Sequence, residues 1–348
     1  MTVRRYDSVR EAEAVIRAAE GRGTMSQSYV VLRSVERSFW RCELARMNPL
    51  ALIRDWFSPR FRVYAVTDRG RPLLVVPLER DGDGWRLVRG EYVELDYTDI
   101  LYGIVPKTTY CAAFAAVVER MRADGVRRLV ADYLDESSPT AEMLLAAGAS
   151  VCAEFENYAV ELKTDTFDGY LSSLRGNARR NLRKDLRRAG AAEIEFEFCS
   201  DCGYGSRIGR KLLSECRRIY RRRQAGRYGH RGPVASWYFK VLNYISISVP
   251  GDNGFLAVLR IGGRVAASME GYVNRTRRAL EVPRISMNGE FAEYGPGRLL
   301  VAECVRWMLS GAEFRILDLC RGDERYKKEV GGSRYLTRRM VLDLEGGR

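Results

Sequence analysis

Two runs of β-branched and aromatic residues, 62–66 and 73–78, flank Asp68-Arg69-Gly70-Arg71. Such runs around a glycine signal a hairpin, because the reversal needs positive φ and glycine takes it without steric cost. Residues 255–260 and 264–273 repeat the pattern around Ile261-Gly262-Gly263. In the first half, apolar runs at 85–88, 92–95 and 100–104 then predict strands. A helical pattern fills 108–123 and stops at Gly125, strand 128–133 follows, a short helix at 139–147 ends at Gly148, and 154–162 is a last strand. In the second half, strand 278–287 leads to Gly295-Pro296-Gly297. Helix 298–309 stops at Gly311, strand 314–320 follows, and 340–344 closes the chain. A-D-G-V-R-R-L-V-A-D-Y (123–133) and S-G-A-E-F-R-I-L-D-L-C (310–320) occupy corresponding places. The shared order of hairpin, strand, helix, glycine stop and strand predicts two copies of one α/β unit with mixed sheets, over 1–164 and 165–348. Residues 6–60 add helical segments with a break near Gly21 and Gly23.

Between the copies, Leu171, Leu174, Ala178, Leu182 and Leu186 recur at helical spacing, so the stretch 168–189 is an amphipathic helix with one buried stripe. Arg175, Arg179, Arg180, Arg183, Lys184, Arg187 and Arg188 occupy the rest, and Asp185 is nearly their only offset. Like charges at i,i+4 destabilise a helix by about 0.2–0.5 kcal/mol each. A second cluster, Arg217, Arg218, Arg221, Arg222, Arg223, Arg227 and Arg231, follows on another helix and its exit. Three readings stay open for these faces: solvation, phosphate or RNA backbone contact, and an anionic membrane surface.

Charge distribution sharpens this. The net charge is +13, yet residues 1–164 hold 23 basic and 24 acidic residues while 165–348 hold 35 and 21. A polyanionic ligand of the second half accounts for such an asymmetry better than a general arginine bias. Cysteine use points elsewhere: eight are scattered, and Cys199-Ser-Asp-Cys202 is a lone C-x-x-C with no second pair. With His230 the one histidine, imidazole triads and histidine-rich metal sites are nearly excluded, and no metal is expected. No apolar run approaches a membrane span and the first residues lack an apolar leader, so the expectation is a cytoplasmic protein.

Candidate chemistry gathers where strand 314–320 runs into Arg321-Gly322-Asp323, then a short helical pattern with Tyr326, Lys327 and Lys328, closed by Gly331-Gly332. Loop side chains and helix N–H groups converge at such corners in α/β sheets. Amine attack on an ester or thioester builds charge on the carbonyl oxygen, and Lys327 is the candidate donor for it. Asp323 and Glu270 are candidate bases, with structural ion pairs as the alternative. Tyr326 could position a substrate or simply pack. Asp96 and Asp99 read equally as turn caps and as carboxylates holding a cationic acceptor.

Four pieces together resemble a known family. They are Pro77-Leu78 with Asp96-Tyr97-Thr98-Asp99; Tyr170-Leu171-Ser172-Ser173-Leu174 with Arg179 and Leu182-Arg183; Gly295-Pro296-Gly297 with Leu299-Leu300; and Arg321-Gly322-Asp323 with Tyr326-Lys327. In this order they are similar to the tandem GNAT-like fold of the Fem-type aminoacyl-tRNA-dependent transferases and of the cellulose-biosynthesis-associated acyltransferases. The resemblance implies an N-acyltransferase that forms an amide on a small-molecule, cell-envelope or natural-product amine. It implies no tightly bound cofactor; the co-substrate is aminoacyl-tRNA or, as in other GNAT enzymes, acyl-CoA. A further alternative is an inactive GNAT-like module binding RNA or an anion. Tyr326-Lys327-Lys328-x-x-Gly331-Gly332 is similar to the Fem-type ending whose lysine lies beside the reacting ester. Gly295, Gly297 and Arg298 correspond to a pyrophosphate loop that here lacks its first cation and, at Pro296, one N–H donor. Arg175, Arg179, Arg180, Arg183, Arg222 and Arg223 would then bind the RNA.

Overall fold

A computed structural model describes residues 1–19, 28–33, 35–36, 60–89, 97–103, 107–200, 207–228, 254–275, 277–311 and 313–345. Its elements run β1 (Thr2–Tyr6), α1 (Glu13–Ala19), β2 (Phe61–Asp68), β3 (Arg71–Asp81), β4 (Gly84–Leu87), β5 (Leu101–Tyr102) and α2 (Lys107–Ala123). They continue with β6 (Arg128–Asp135), α3 (Pro139–Ala146), β7 (Ser150–Glu161), α4 (Phe167–Ser173), α5 (Gly176–Gly190), β8 (Ile194–Ser200) and α6 (Arg207–Tyr228). The last are β9 (Gly254–Ile261), β10 (Arg264–Asn274), β11 (Ala279–Met287), α7 (Pro296–Leu309), β12 (Ile316–Arg321), α8 (Arg325–Glu329) and β13 (Ser333–Asp343). Among the described residues no helix is long and apolar enough to cross a membrane.

The chain forms two compact units. The first takes Met1–Phe155 and Leu336–Arg348; the second takes Glu156–Lys240 and Pro250–Tyr335. In the first, strand order is β1-β2-β3-β4-β6-β13 with β5 on β3. Among the described residues, β4 and β6 pair in parallel, through Trp85↔Leu129 and Arg86↔Val130. The core joins Tyr64, Leu74 and Leu78 of the hairpin to Phe114 and Met121 of α2, and to Met340 and Leu342 of β13.

In the second unit the order is β7-β12-β11-β10-β9-β8. Among the described residues its parallel pair is β11 with β12, which ends after Ala279↔Ile316, Leu280↔Leu317 and Glu281↔Asp318. Leu171, Leu174, Ala178 and Leu182 pack with Phe255, Met269, Leu300 and Leu317, so the arginine helix is part of this unit's core layer. Its opposite face carries the charge, as the sequence stripe requires.

The two units share more than element order. Tyr133 and Cys320 hold the same place in the two matched segments, and both adopt left-handed backbone, φ 53° and 58°. Each lies where its strand slips register, β6 against β13 and β12 against β7. A non-glycine residue at such φ costs roughly 1–2 kcal/mol. Its occurrence at matching positions makes the bulge a feature of the repeated unit.

Several elements differ from expectation. The helix expected over 168–189 is two helices, because Leu174 and Arg175 are extended (ψ 146° and 148°). Ser173 Oγ donates to the Tyr170 carbonyl at 2.7 Å, a local bond that competes with helix continuation. β8 was not among the predicted strands, although Ile194, Phe196 and Phe198 alternate with exposed Glu193, Glu195 and Glu197. β13 begins seven residues earlier than the strand expected at 340–344. The strand expected at 92–95, most of the helical stretch before residue 60, and His230 lie outside the described residues.

Candidate active site

The second unit's site starts from the divergence of β11 and β12. Beyond Glu281 and Asp318 the two strands no longer pair. Pro283, which has no N–H, lies at the slip between Glu270↔Arg284 and Tyr272↔Glu281, where a missing donor costs least. Strands that splay in this way present main-chain groups to an extended amide-bearing ligand.

At the C-terminal end of β11 a pocket of about 720 Å³ is lined by Arg222 of α6, Met287, Asn288, Gly295, Gly297, Arg298 and Tyr326. Five expected site residues, Gly295, Gly297, Arg298, Arg222 and Tyr326, thus share one cavity. The structure also accounts for the glycines. Gly295 is left-handed (φ 63°) and caps the turn into α7; a Cβ there would meet Asp185 Oδ2 at 2.6 Å. At Gly297 a Cβ would meet Met287 Sδ at 2.5 Å. Pro296 supplies no N–H, and the Gly295 carbonyl takes those of Arg298 and Leu299 at 3.0 and 3.2 Å. At most the Gly297 amide is left for an anion.

Arg298 is likewise committed. Its guanidinium lies 2.6–2.7 Å from Asp185 Oδ2 and 3.7 Å from Glu329. Burial pushes the Asp185 carboxyl up, and the Arg298 hydrogen bond pulls it back down. This pair ties α5 to the start of α7. A row of cations lies instead along α5, where Arg179, Arg180, Arg183 and Arg187 line a cleft of about 680 Å³ beside Gly176, Arg179 also donating to the Ser172 carbonyl at 3.4 Å. Arg175 is exposed at the N-cap of α5. The side chain of Arg223 lies outside the described residues.

Lys327 is buried (2% exposed), and its Nζ donates to three carbonyls: Cys320 at 3.1 Å, Arg321, and Gly322 at 3.3 Å. Glu324 Oε2 lies 3.0 Å from the same ammonium. Three carbonyls and one carboxylate thus surround its three N–H groups, and the side chain fastens the loop after β12. Asp323 stands exposed on that loop. Glu270 is buried on β10, in register with the buried Arg284 of β11. Burial pushes the neighbouring Cys216 thiol up to about 12, while a hydrogen bond with Ser268 acts the other way.

Sequence reasoning missed a cluster at the foot of the splay. Asp318 is fully buried and accepts from Cys320 N–H at 2.9 Å and from Tyr335 Oη at 2.7 Å. Arg277 approaches it to 3.4 Å and reaches Glu281 at 3.6 Å. Asn274 Nδ2 donates to Glu281 Oε1 at 2.8 Å. The available signal was a single carboxylate interrupting an apolar strand, in I-L-D-L-C and again in A-L-E-V.

In the first unit Asp99 is buried and accepts from Ile100 N–H at 2.8 Å, Tyr102 Oη at 3.0 Å and Ser138 Oγ at 3.0 Å, with Thr140 Oγ1 a further donor. Ser138 also caps α3. Asp99 thus sits in a cluster of buried hydroxyls of the first unit; Asp96 lies outside the described residues.

A family model described as an acetyltransferase (GNAT) domain matches residues 176–328. Among solved structures, FemX superposes with a TM-score of 0.57 at 12% identity, over 99% of this chain and 97% of that one. A conserved protein of unknown function from Bacteroides thetaiotaomicron gives 0.55 at 10% identity, over 98% and 100%. L-PGS from Bacillus licheniformis gives 0.52 at 10%, over 83% and 85%. At these identities the likeness is one of fold, and it extends to both units. A search of curated proteins finds no match.

Proposed function

We propose that the chain, whose residues 176–328 match an acetyltransferase (GNAT) domain model, transfers an aminoacyl group from aminoacyl-tRNA to an amine, making an amide. The observation that carries this reading is the cationic geometry of the second unit. The start of α7 has lost most of its anion-binding N–H groups and its arginine is neutralised by Asp185, whereas α5 presents four arginines along one cleft. A pyrophosphate wants the first arrangement intact; an RNA backbone wants a row of cations. Acyl-CoA is the alternative donor, for which Arg222 and the Gly297 amide would serve in the pocket beside α7.

In this reading the carrier lies against α5 and the pocket, and its acyl end enters the splay between β11 and β12. Lys327 positions the loop at the end of β12 through the carbonyls it holds. Asp323 on that loop is the carboxylate able to meet an incoming ammonium. Tyr326 shapes the pocket wall. Glu270 lies buried, in register with Arg284 on the neighbouring strand. The acceptor is a small-molecule, cell-envelope or natural-product amine, no tightly bound cofactor is required, and a cytoplasmic location goes with charged tRNA as donor.

The test is to incubate the full chain with total charged tRNA and, separately, with an acyl-CoA panel, and to analyse candidate amines by mass. Aminoacyl transfer from tRNA supports the reading. Transfer from acyl-CoA alone replaces tRNA with CoA as the donor, and RNA binding without any transfer leaves an RNA-binding module.

A further inference from the structure

We infer that Tyr335 and Asp318 form the proton relay of the transfer reaction, with Tyr335 as the group that meets the reacting amine. The inference rests on the acyl-transfer reading and adds residues to it. Asp318 sits at the last position of β12 that pairs with β11, where the gap between the two strands opens. An extended carrier held at Met287 and Asn288 and running back along β11 would cross the six residues 282–287. At ~3.3 Å per residue that is roughly 20 Å, which brings its reacting end to Glu281 and Asp318.

The groups gathered there suit proton transfer. Tyr335 is half-buried, and its hydroxyl donates to a fully buried carboxylate at 2.7 Å. The Cys320 N–H fixes the other oxygen of Asp318 at 2.9 Å, and the left-handed backbone of Cys320 aims that N–H. Arg277 supplies the counter-charge at 3.4 Å. Lys327 holds the Cys320 carbonyl at 3.1 Å, so the relay and the loop are anchored through one residue. Glu281 accepts from Asn274 and pairs with Arg277.

The neutral amine attacks the acyl carbonyl and a C–N bond forms. Its excess proton passes to the Tyr335 oxygen as the phenolic proton passes to Asp318. On collapse of the tetrahedral intermediate, the bond to the carrier's oxygen or sulfur breaks. The proton returns from Asp318 through Tyr335 to that leaving atom, giving amide and free carrier.

The experiment uses the full chain with whichever donor the wild type accepts. Tyr335→Phe is expected to lower kcat by about 100-fold or more with KM for the donor little changed, the range for loss of a general acid–base group. It should also abolish the solvent deuterium isotope effect on kcat while leaving the melting temperature close to wild type. Asp318→Asn should show the same kinetic loss; if its buried site fails to fold, Tyr335→Phe decides alone. A Tyr335→Phe enzyme with kcat within about threefold of wild type, or with the isotope effect intact, overturns the relay. A wild type that transfers nothing from any donor overturns the acyl-transfer reading itself, and the relay with it.

Discussion

Gly295 shows how a residue expected to cradle phosphate is required by its own backbone. Gly295→Ala should destabilise the protein by about 1–2 kcal/mol from left-handed strain alone, and further by displacing Asp185 from Arg298, read as a lowered denaturant midpoint. Lys327→Met should cost about 1–3 kcal/mol, because three loop carbonyls lose their donor. Unchanged stability would mean that the ammonium does not hold the loop. Asp99 gives a pH prediction. Burial raises its carboxyl, so the folded state favours the neutral form and binds more protons than the unfolded chain. Its contribution is therefore complete below the ordinary carboxylate range near ~4 and is lost as pH rises through the raised folded value. Asp99→Asn should flatten that part of the stability-versus-pH curve, and an identical curve would contradict the burial argument. The candidate residues were visible by type and spacing, whereas the partners of Lys327 were not, since its acceptors are main-chain groups placed by a bulge.

For the elements, α5 carries two separable jobs. Leu182 lies in the second unit's core, so Leu182→Ala should cost about 2–5 kcal/mol. Reversing Arg179, Arg180 and Arg183 to glutamate touches only the charged face. It should weaken RNA binding and reduce the salt slope by about 0.7–0.9 for each lost phosphate contact, with stability nearly unchanged. A salt slope equal to wild type would move the donor site back to the pocket beside α7. The stripe that buries α5 was legible in the leucine spacing, but its break at Leu174 and Arg175 was not, because the competing bond of Ser173 leaves helical periodicity untouched.

In the whole molecule, the first unit is discontinuous in sequence. Met340, Leu342 and Leu344 belong to its core, and β13 pairs with β6 through Asp343↔Arg128. Truncation after Tyr335 should therefore expose residues 61–146 to proteolysis and hydrogen exchange, although they lie some two hundred residues away in the chain. The repeat itself was readable from two hairpins and two matched segments. The left-handed residue each segment carries at the same place, Tyr133 and Cys320, came only with the fold, since neither is a residue type that announces positive φ.

The chain's own pattern determined the elements that depend on neighbours: hairpin turns, the amphipathic stripe, and the glycine stops that make one α/β unit recur. Tertiary structure decided how each charge is used. Arg298 meets Asp185 across 113 positions, and Tyr335 finds Asp318 across a turn and a helix. Local spacing encodes which face a side chain takes, but whether that side chain is spent inside the protein or left for a substrate depends on partners that only folding brings within hydrogen-bond reach.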